Sequence, residues 1–84
     1  MNLYILKSVH HGRHYIGITK DIDNRLSEHN AKEVRSTMAY VPWVVVYKEH
    51  YDNKTDARRR ELFLKRTSKA RAELFEKINN GPIV

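Results

Sequence analysis

Leu3-Tyr4-Ile5-Leu6 and, after seven intervening residues, His14-Tyr15-Ile16-Gly17-Ile18-Thr19 are the stretches on which the fold turns. Residues 2–8 are apolar and β-prone, and residues 13–18 carry the strand formers Tyr15, Ile16 and Ile18. Between them His10-His11-Gly12 is a turn signal, with Gly12 able to take a left-handed conformation. The two runs therefore predict an antiparallel hairpin that brings Tyr4 and Tyr15 near each other. Gly17, inside the second strand, marks a bulge or a place where something approaches the backbone closely.

Outward from the hairpin, a helix is expected from about Asp21 to Asn30, capped by Thr19 or Asp21. Ile22 and Leu26, four apart, would form its buried stripe, with Arg25 and His29 on an adjoining face. Ala31 to Tyr40 is polar and aperiodic, and reads as a loop. Pro42 biases its predecessor away from helix, and Trp43–Tyr51 reads as a third strand. Its Val44-Val45-Val46 centre is apolar on both faces, which predicts a central place in the sheet. A second helix is expected from about Asp56 to Arg66, capped by Asn53 or Thr55. A third runs from about Ser68 to Ile78, stopped by Asn80-Gly81-Pro82. The order is β-β-α-β-α-α. It specifies an α+β domain, a small three-stranded sheet, mixed or antiparallel, flanked by three helices.

Eighty-four residues leave room for one domain, so residues 1–84 are read as a single unit. There is no cysteine, hence neither disulfide nor thiolate metal site, which fits a reducing compartment. The opening apolar run, ended by Lys7, is too short for a signal peptide. The longest later run, Val41 to Tyr47, falls far short of a membrane span. A cytoplasmic protein with no membrane attachment is expected. Sixteen Lys and Arg against ten Asp and Glu give a net charge of +6. Nine of those bases and four of the acids lie between Lys54 and Lys77, so five of the six net charges sit in the last third. That concentration favours a polyanionic partner over an evenly solvated surface.

Within this frame stand two tyrosines on paired strands, Arg25 on the following helix, and a carboxylate, Glu61, inside a mainly basic helix. Phosphodiester hydrolysis uses such groups: one to position or activate water, a cation for the phosphorane charge, and a hard oxygen ligand for a divalent metal. Each also has a plain structural reading. The tyrosines would pack a core, Arg25 would be a solvated helix residue, and Glu61 would pair with Arg58 or Lys65 within one helical turn. His29 divides between phosphate contact and surface residue, while His10, His11, His14 and His50 read as ordinary. Trp43 reads as core. Arg58-Arg59-Arg60 points three ways round a helix, so at most two of them face one phosphate backbone.

Taken together, Leu3-Tyr4-Ile5-Leu6 with His14-Tyr15-Ile16-Gly17-Ile18-Thr19 resembles the paired motifs of the GIY-YIG nuclease superfamily. Asp21 to Asn30 resembles that family's first helix, an arginine followed by histidine and asparagine. Ser36 to Trp43 is similar to the loop of its small stand-alone bacterial, excision-repair-nuclease-like members, and Arg60-Glu61 with Lys65 to their second helix. The match covers about residues 3–66. The resemblance implies a metal-dependent endonuclease, acting on DNA in preference to RNA and serving repair or recombination. It implies that Tyr15 positions or deprotonates the attacking water and that Tyr4 supports it. Arg25 would stabilise phosphate charge, Glu61 would hold a single Mg²⁺ or Mn²⁺, and His29 would be an alternative base or phosphate contact. Gly17 would be structural at the site, and Arg35, Arg58, Lys65 and Lys69 would contact nucleic acid.

The chain departs from the pattern at Leu3, where the motif's name has glycine, and at Ile18, where repair-type members carry lysine. An 84-residue module offers a small footprint, hence weak and salt-sensitive binding, which would suit a targeting partner or a special DNA structure. A catalytically weak nucleic-acid-binding module, or an adaptor for an acidic protein, remains the other class of reading.

Overall fold

The computed structural model describes residues 1–80. Its elements are β1 (Asn2–Ser8), β2 (His14–Thr19), α1 (Ile22–Asn30), a 3-10 turn (Met38–Tyr40), β3 (Trp43–His50), α2 (Lys54–Arg66) and α3 (Ser68–Asn80). The α+β class and the order β-β-α-β-α-α are those expected, and both strand pairings are antiparallel. The Gly81-Pro82 stop lies outside the described residues. Gly12 takes φ +65° in the β1–β2 turn, the left-handed conformation foreseen for it. Of the alternative caps, Asp21 accepts from the Asn24 amide at 3.0 Å and Asn53 from the Asp56 amide at 2.9 Å.

One expectation fails. The strand order is β2-β1-β3, so β3 is an edge strand and β1 is the centre. The valines misled because helices cover both faces of the sheet, so an edge strand here also needs apolar residues on both sides. Val45 packs on one face and Val46 on the other, while Val44 is 45% exposed. A register shift opposite Ile5 and Leu6 inserts Val46 as the extra residue of a bulge. The central strand is instead marked by burial: Leu3, Tyr4, Ile5 and Leu6 are all at or below 1% exposure.

Alternation along β1 divides the interior in two. Leu3 and Ile5 point with Ile16 toward Leu64 of α2 and toward Leu74, Phe75 and Ile78 of α3. Tyr4 and Leu6 point the other way, with Tyr15, Trp43 and Tyr40, under Ile22 and Leu26 of α1. The loop after α1 is tied down rather than free. Asn30 clamps the start of β3 through both amide atoms, donating to the Trp43 carbonyl at 3.0 Å and accepting from its amide at 2.7 Å. Trp43 is core, as expected, and its indole N–H donates to the Thr37 carbonyl at 2.9 Å.

A polar cluster on β3 and α2 was not legible in the sequence. Glu49 accepts from the hydroxyls of Tyr47 and Tyr51, and from Arg60 Nε and Nη2 at 3.1 and 3.2 Å. Although burial opposes ionisation, these donors together hold the Glu49 carboxyl below its usual range. The Arg58-Arg59-Arg60 triplet does point three ways: to Glu61, to Asp56 and to Glu49.

Candidate active site

Tyr4 on β1 faces Gly17 directly across the β1–β2 ladder. A Cβ on Gly17 would lie 2.6 Å from the Tyr4 hydroxyl, 2.7 Å from Cζ and 3.0 Å from Tyr15 Cε2. The glycine is thus the floor on which the two tyrosines meet, with ring centroids 6.2 Å apart. His29 of α1 closes the third side, its ring 5.9 Å from that of Tyr4 and 4.9 Å from that of Tyr15. Hairpin and helix have brought together three groups that lie far apart in sequence.

The hydrogen-bond order in this cluster follows from donor counting. Thr37 Oγ1 gives its only proton to the Val34 carbonyl at 3.3 Å, so it accepts from His29 Nδ1–H at 2.8 Å. That leaves His29 Nε2 as acceptor, and the Tyr4 hydroxyl donates to it at 2.9 Å. Burial, helped by the Arg25 charge and opposed by Glu28, lowers the pKa of His29 and keeps it neutral. Burial also pushes the Tyr4 phenol up to about 12, while the Arg25 guanidinium beside it pulls the other way. Tyr4 is therefore a protonated phenol locked in place by a neutral imidazole.

His29 has no exposed surface, so in this conformation it touches neither solvent nor phosphate. The sequence did hold a signal for this. His29 extends the Ile22–Leu26 stripe at the next helical position, seven residues after Ile22. Thr37 had no such signal, because it sits in an aperiodic loop. Tyr15 and Arg25 are half-buried, the Arg25 side chain being 35% exposed and 3.4 Å from Glu28. Its pKa is raised, first by the adjacent Tyr4 hydroxyl, so its charge is secure.

Glu61 of α2 is buried, and both of its oxygens are engaged. Arg58 donates to Oε1, and Lys65 donates to Oε2 at 3.0 Å. The plain reading of Glu61 as an ion-pair partner of these two residues is thus met in full. Lys65 Nζ also lies 6.0 Å from the centre of the Tyr15 ring, which connects Glu61 to the tyrosines. Beside them is a cavity of about 330 Å³ lined by His14, Tyr15, Ile16, Lys65, Arg71 and Phe75. A larger concavity, about 860 Å³, lies elsewhere, between Asn2, Lys20 and His50, and includes none of the site residues. His14, read as ordinary, stacks on Phe75 at 4.2 Å, its Nε2 buried without a partner. Arg35 and Lys69 are exposed on a loop and on α3.

The donor set bears on a metal. Among the described residues no three His, Cys, Asp or Glu side chains gather where they could hold an ion. A cage of protein ligands, as zinc or calcium takes, is not on offer. Mg²⁺ accepts a lone hard carboxylate with water and phosphate oxygens completing the shell, a set that Glu61 would join only where Arg58 and Lys65 give way.

The family model for the GIY-YIG catalytic domain matches residues 1–79. This chain is a GIY-YIG domain. The family is an endonuclease superfamily whose members generally use divalent metal ions. A UPF0213 protein of Halobacterium salinarum is 36% identical over 63 residues, 74% of this chain and 82% of the relative. A UPF0213 protein of Streptococcus pneumoniae is 34% identical over 74 residues, 87% of this chain and 74% of that one. The solution NMR structure of the UPF0213 protein BH0048 from Bacillus halodurans matches with a TM-score of 0.56 at 29% identity. That alignment covers 98% of this chain and 89% of the other. The small GIY-YIG domain is thus shown by sequence and by fold. Among its described residues no helix is long and apolar enough to cross a membrane.

Proposed function

We propose that this GIY-YIG domain, residues 1–84 acting as one unit, is a metal-dependent endonuclease that hydrolyses phosphodiester bonds in DNA, in repair or recombination within the cytoplasm. The observation that carries the reading is the meeting of Tyr4 and Tyr15 over Gly17, with the Arg25 guanidinium beside the Tyr4 hydroxyl and Lys65 lying between Tyr15 and a buried carboxylate, Glu61. Tyr15, the less buried of the paired phenols, orients the attacking water through its hydroxyl or, once its own proton is lost to solvent, takes the water's proton as a phenolate. Tyr4 serves as a fixed hydrogen-bonding wall, since its proton is committed to His29. His29 acts through Tyr4 as a positioning residue. Arg25 faces the negative charge that grows on the phosphoryl oxygens, and it does so from a site that is already charged and oriented. Glu61 would hold Mg²⁺ or Mn²⁺, which when bound supplies Lewis acidity at a phosphoryl oxygen. Arg35, Arg58, Lys65 and Lys69 supply the sequence-independent attraction to the backbone, and a partner protein supplies targeting.

The test is cleavage of a panel of single-stranded, duplex, nicked and branched DNA and RNA, with Mg²⁺ or Mn²⁺ against EDTA and Glu61→Ala alongside. Metal-dependent cutting that the variant loses establishes the nuclease and names its substrate. Salt-sensitive binding without cutting on any substrate replaces it with a nucleic-acid-binding module.

A further inference from the structure

Glu61 stands apart from the other paired carboxylates, of which Glu28 meets a single cation, Arg25, and is 38% exposed. Glu49 is surrounded by two hydroxyls and one guanidinium, a balanced set that has no reason to change. Asp56 meets Arg59 at 3.9 Å in open solvent, with side chains 50% and 79% exposed. The Glu61 side chain is only 6% exposed, yet each of its oxygens is held by a cation, and those cations are themselves 53% (Arg58) and 45% (Lys65) exposed. One negative charge therefore sits beneath two positive ones, and the positive ends are what solvent sees.

This arrangement opposes a free divalent cation twice. The carboxylate oxygens already have donors, and an arriving ion meets two like charges within a few ångström. It welcomes a phosphate backbone, because Arg58 and Lys65 can turn outward to charge-assisted bonds with phosphate oxygens without opening the fold. Once they turn, Glu61 is left buried and unpaired, a state that a divalent cation relieves.

We infer that Arg58 and Lys65 form a cationic latch on Glu61 that nucleic-acid phosphates release, so that strand and divalent cation bind cooperatively. The inference rests on Glu61 being the metal ligand of the proposed function. By linkage, the factor by which nucleic acid tightens metal binding equals the factor by which metal tightens nucleic-acid binding. The latch keeps the domain from loading metal while it is off its substrate, and so ties the competent state to a bound strand.

The experiment titrates Mn²⁺ into the free protein and follows the loss of the free-ion EPR signal. It compares wild type with Arg58→Gln, Lys65→Gln, Arg59→Gln and Glu61→Gln, each checked for folding by circular dichroism. Arg58→Gln and Lys65→Gln are expected to tighten Mn²⁺ binding at least ~10-fold, a value discounted from the bare Coulomb interaction because both heads meet solvent. Arg59→Gln removes the same charge one residue away and is expected to change the affinity less than about twofold. Glu61→Gln is expected to abolish binding. If Arg58→Gln and Lys65→Gln bind Mn²⁺ like wild type while Glu61→Gln does not bind, the latch is refuted and the metal site stands. If Glu61→Gln binds Mn²⁺ like wild type, the metal-ligand reading falls and the latch falls with it. A second measurement needs no metal. In EDTA, a single-stranded DNA oligonucleotide is titrated while the ¹⁵N resonances of the Lys65 ammonium and Arg58 guanidinium are followed by NMR. Both are expected to shift in step with binding. Resonances that stay put at saturation, or an oligonucleotide that does not bind, overturn the release by phosphate.

Discussion

Replacing Gly17 by alanine tests the site and the fold together. The new methyl would lie 2.6 Å from the Tyr4 hydroxyl and 2.7 Å from its Cζ, where carbon contacts settle at about 3.5–4.0 Å. Tyr4 cannot yield cheaply. It is 1% exposed, and its hydroxyl is held by His29 at 2.9 Å. Overpacking of this kind costs about 1–3 kcal/mol. In a domain of this size that lowers the melting temperature by roughly 5–20 °C. The rate should fall as well, because a phenol displaced by about an ångström costs on the order of 10²-fold. The comparison is Gly12→Ala, where no atom lies within 4 Å and only the +65° φ is strained. That change should cost about 1 kcal/mol and leave the rate alone. Differential scanning calorimetry and cleavage well below the melting temperature read both effects. A Gly17→Ala protein with wild-type melting and wild-type rate would refute the close approach of Tyr4 and its part in the site.

Tyr15→Phe should slow cleavage by on the order of 10²-fold or more with unchanged melting; a wild-type rate would pass the task of handling water to another group. Arg25→Ala should abolish turnover while circular dichroism stays native, and normal turnover would remove it from the site. Glu49→Ala strands Arg60 and two tyrosine hydroxyls and should cost about 2–4 kcal/mol with no effect on cleavage below the transition; unchanged melting would show the cluster to be idle. His29 and His14 both have lowered pKa values, each chiefly through burial, so below the ordinary histidine value of about 6.5 the unfolded chain binds more protons than the folded one. Their contribution to stability is full above that pH and is lost as pH falls through their lowered folded values. Thermal melts across that window should show the loss, and His29→Gln should flatten it. An equally steep profile in that variant would assign the effect elsewhere.

Much of this was written locally in the chain. The hairpin, α1 and the two C-terminal helices follow from alternation, caps and turn residues, and Gly12 and Gly17 do what glycine alone does. The candidate site residues were named from the resemblance of their motifs, not from spacing alone, and their states were not legible in the sequence at all. Tyr4 and His29 are buried and hydrogen-bonded to each other because two elements close over them, a tertiary fact with no local signature. Thr37, which sets the histidine tautomer, sits in a loop with no period at all. The position of β3 was misjudged because apolarity on both faces reports coverage by helices, and coverage is not centrality. The Glu49 cluster joins β3 to α2 across eleven residues of sequence, with each member unremarkable alone.

The alternation of β1 carries a wider consequence. Leu3 and Ile5 feed one interior, and Tyr4, between them, feeds the other. A slip of one residue against β2 would drive the phenol into the aliphatic layer under α2 and α3, and would turn leucine and isoleucine toward the candidate site. A misregistered hairpin thus fails as a core before the proposed site can form. The chain carries no separate instruction for aligning the proposed site: the same error that would scatter its residues also denies the chain a stable fold.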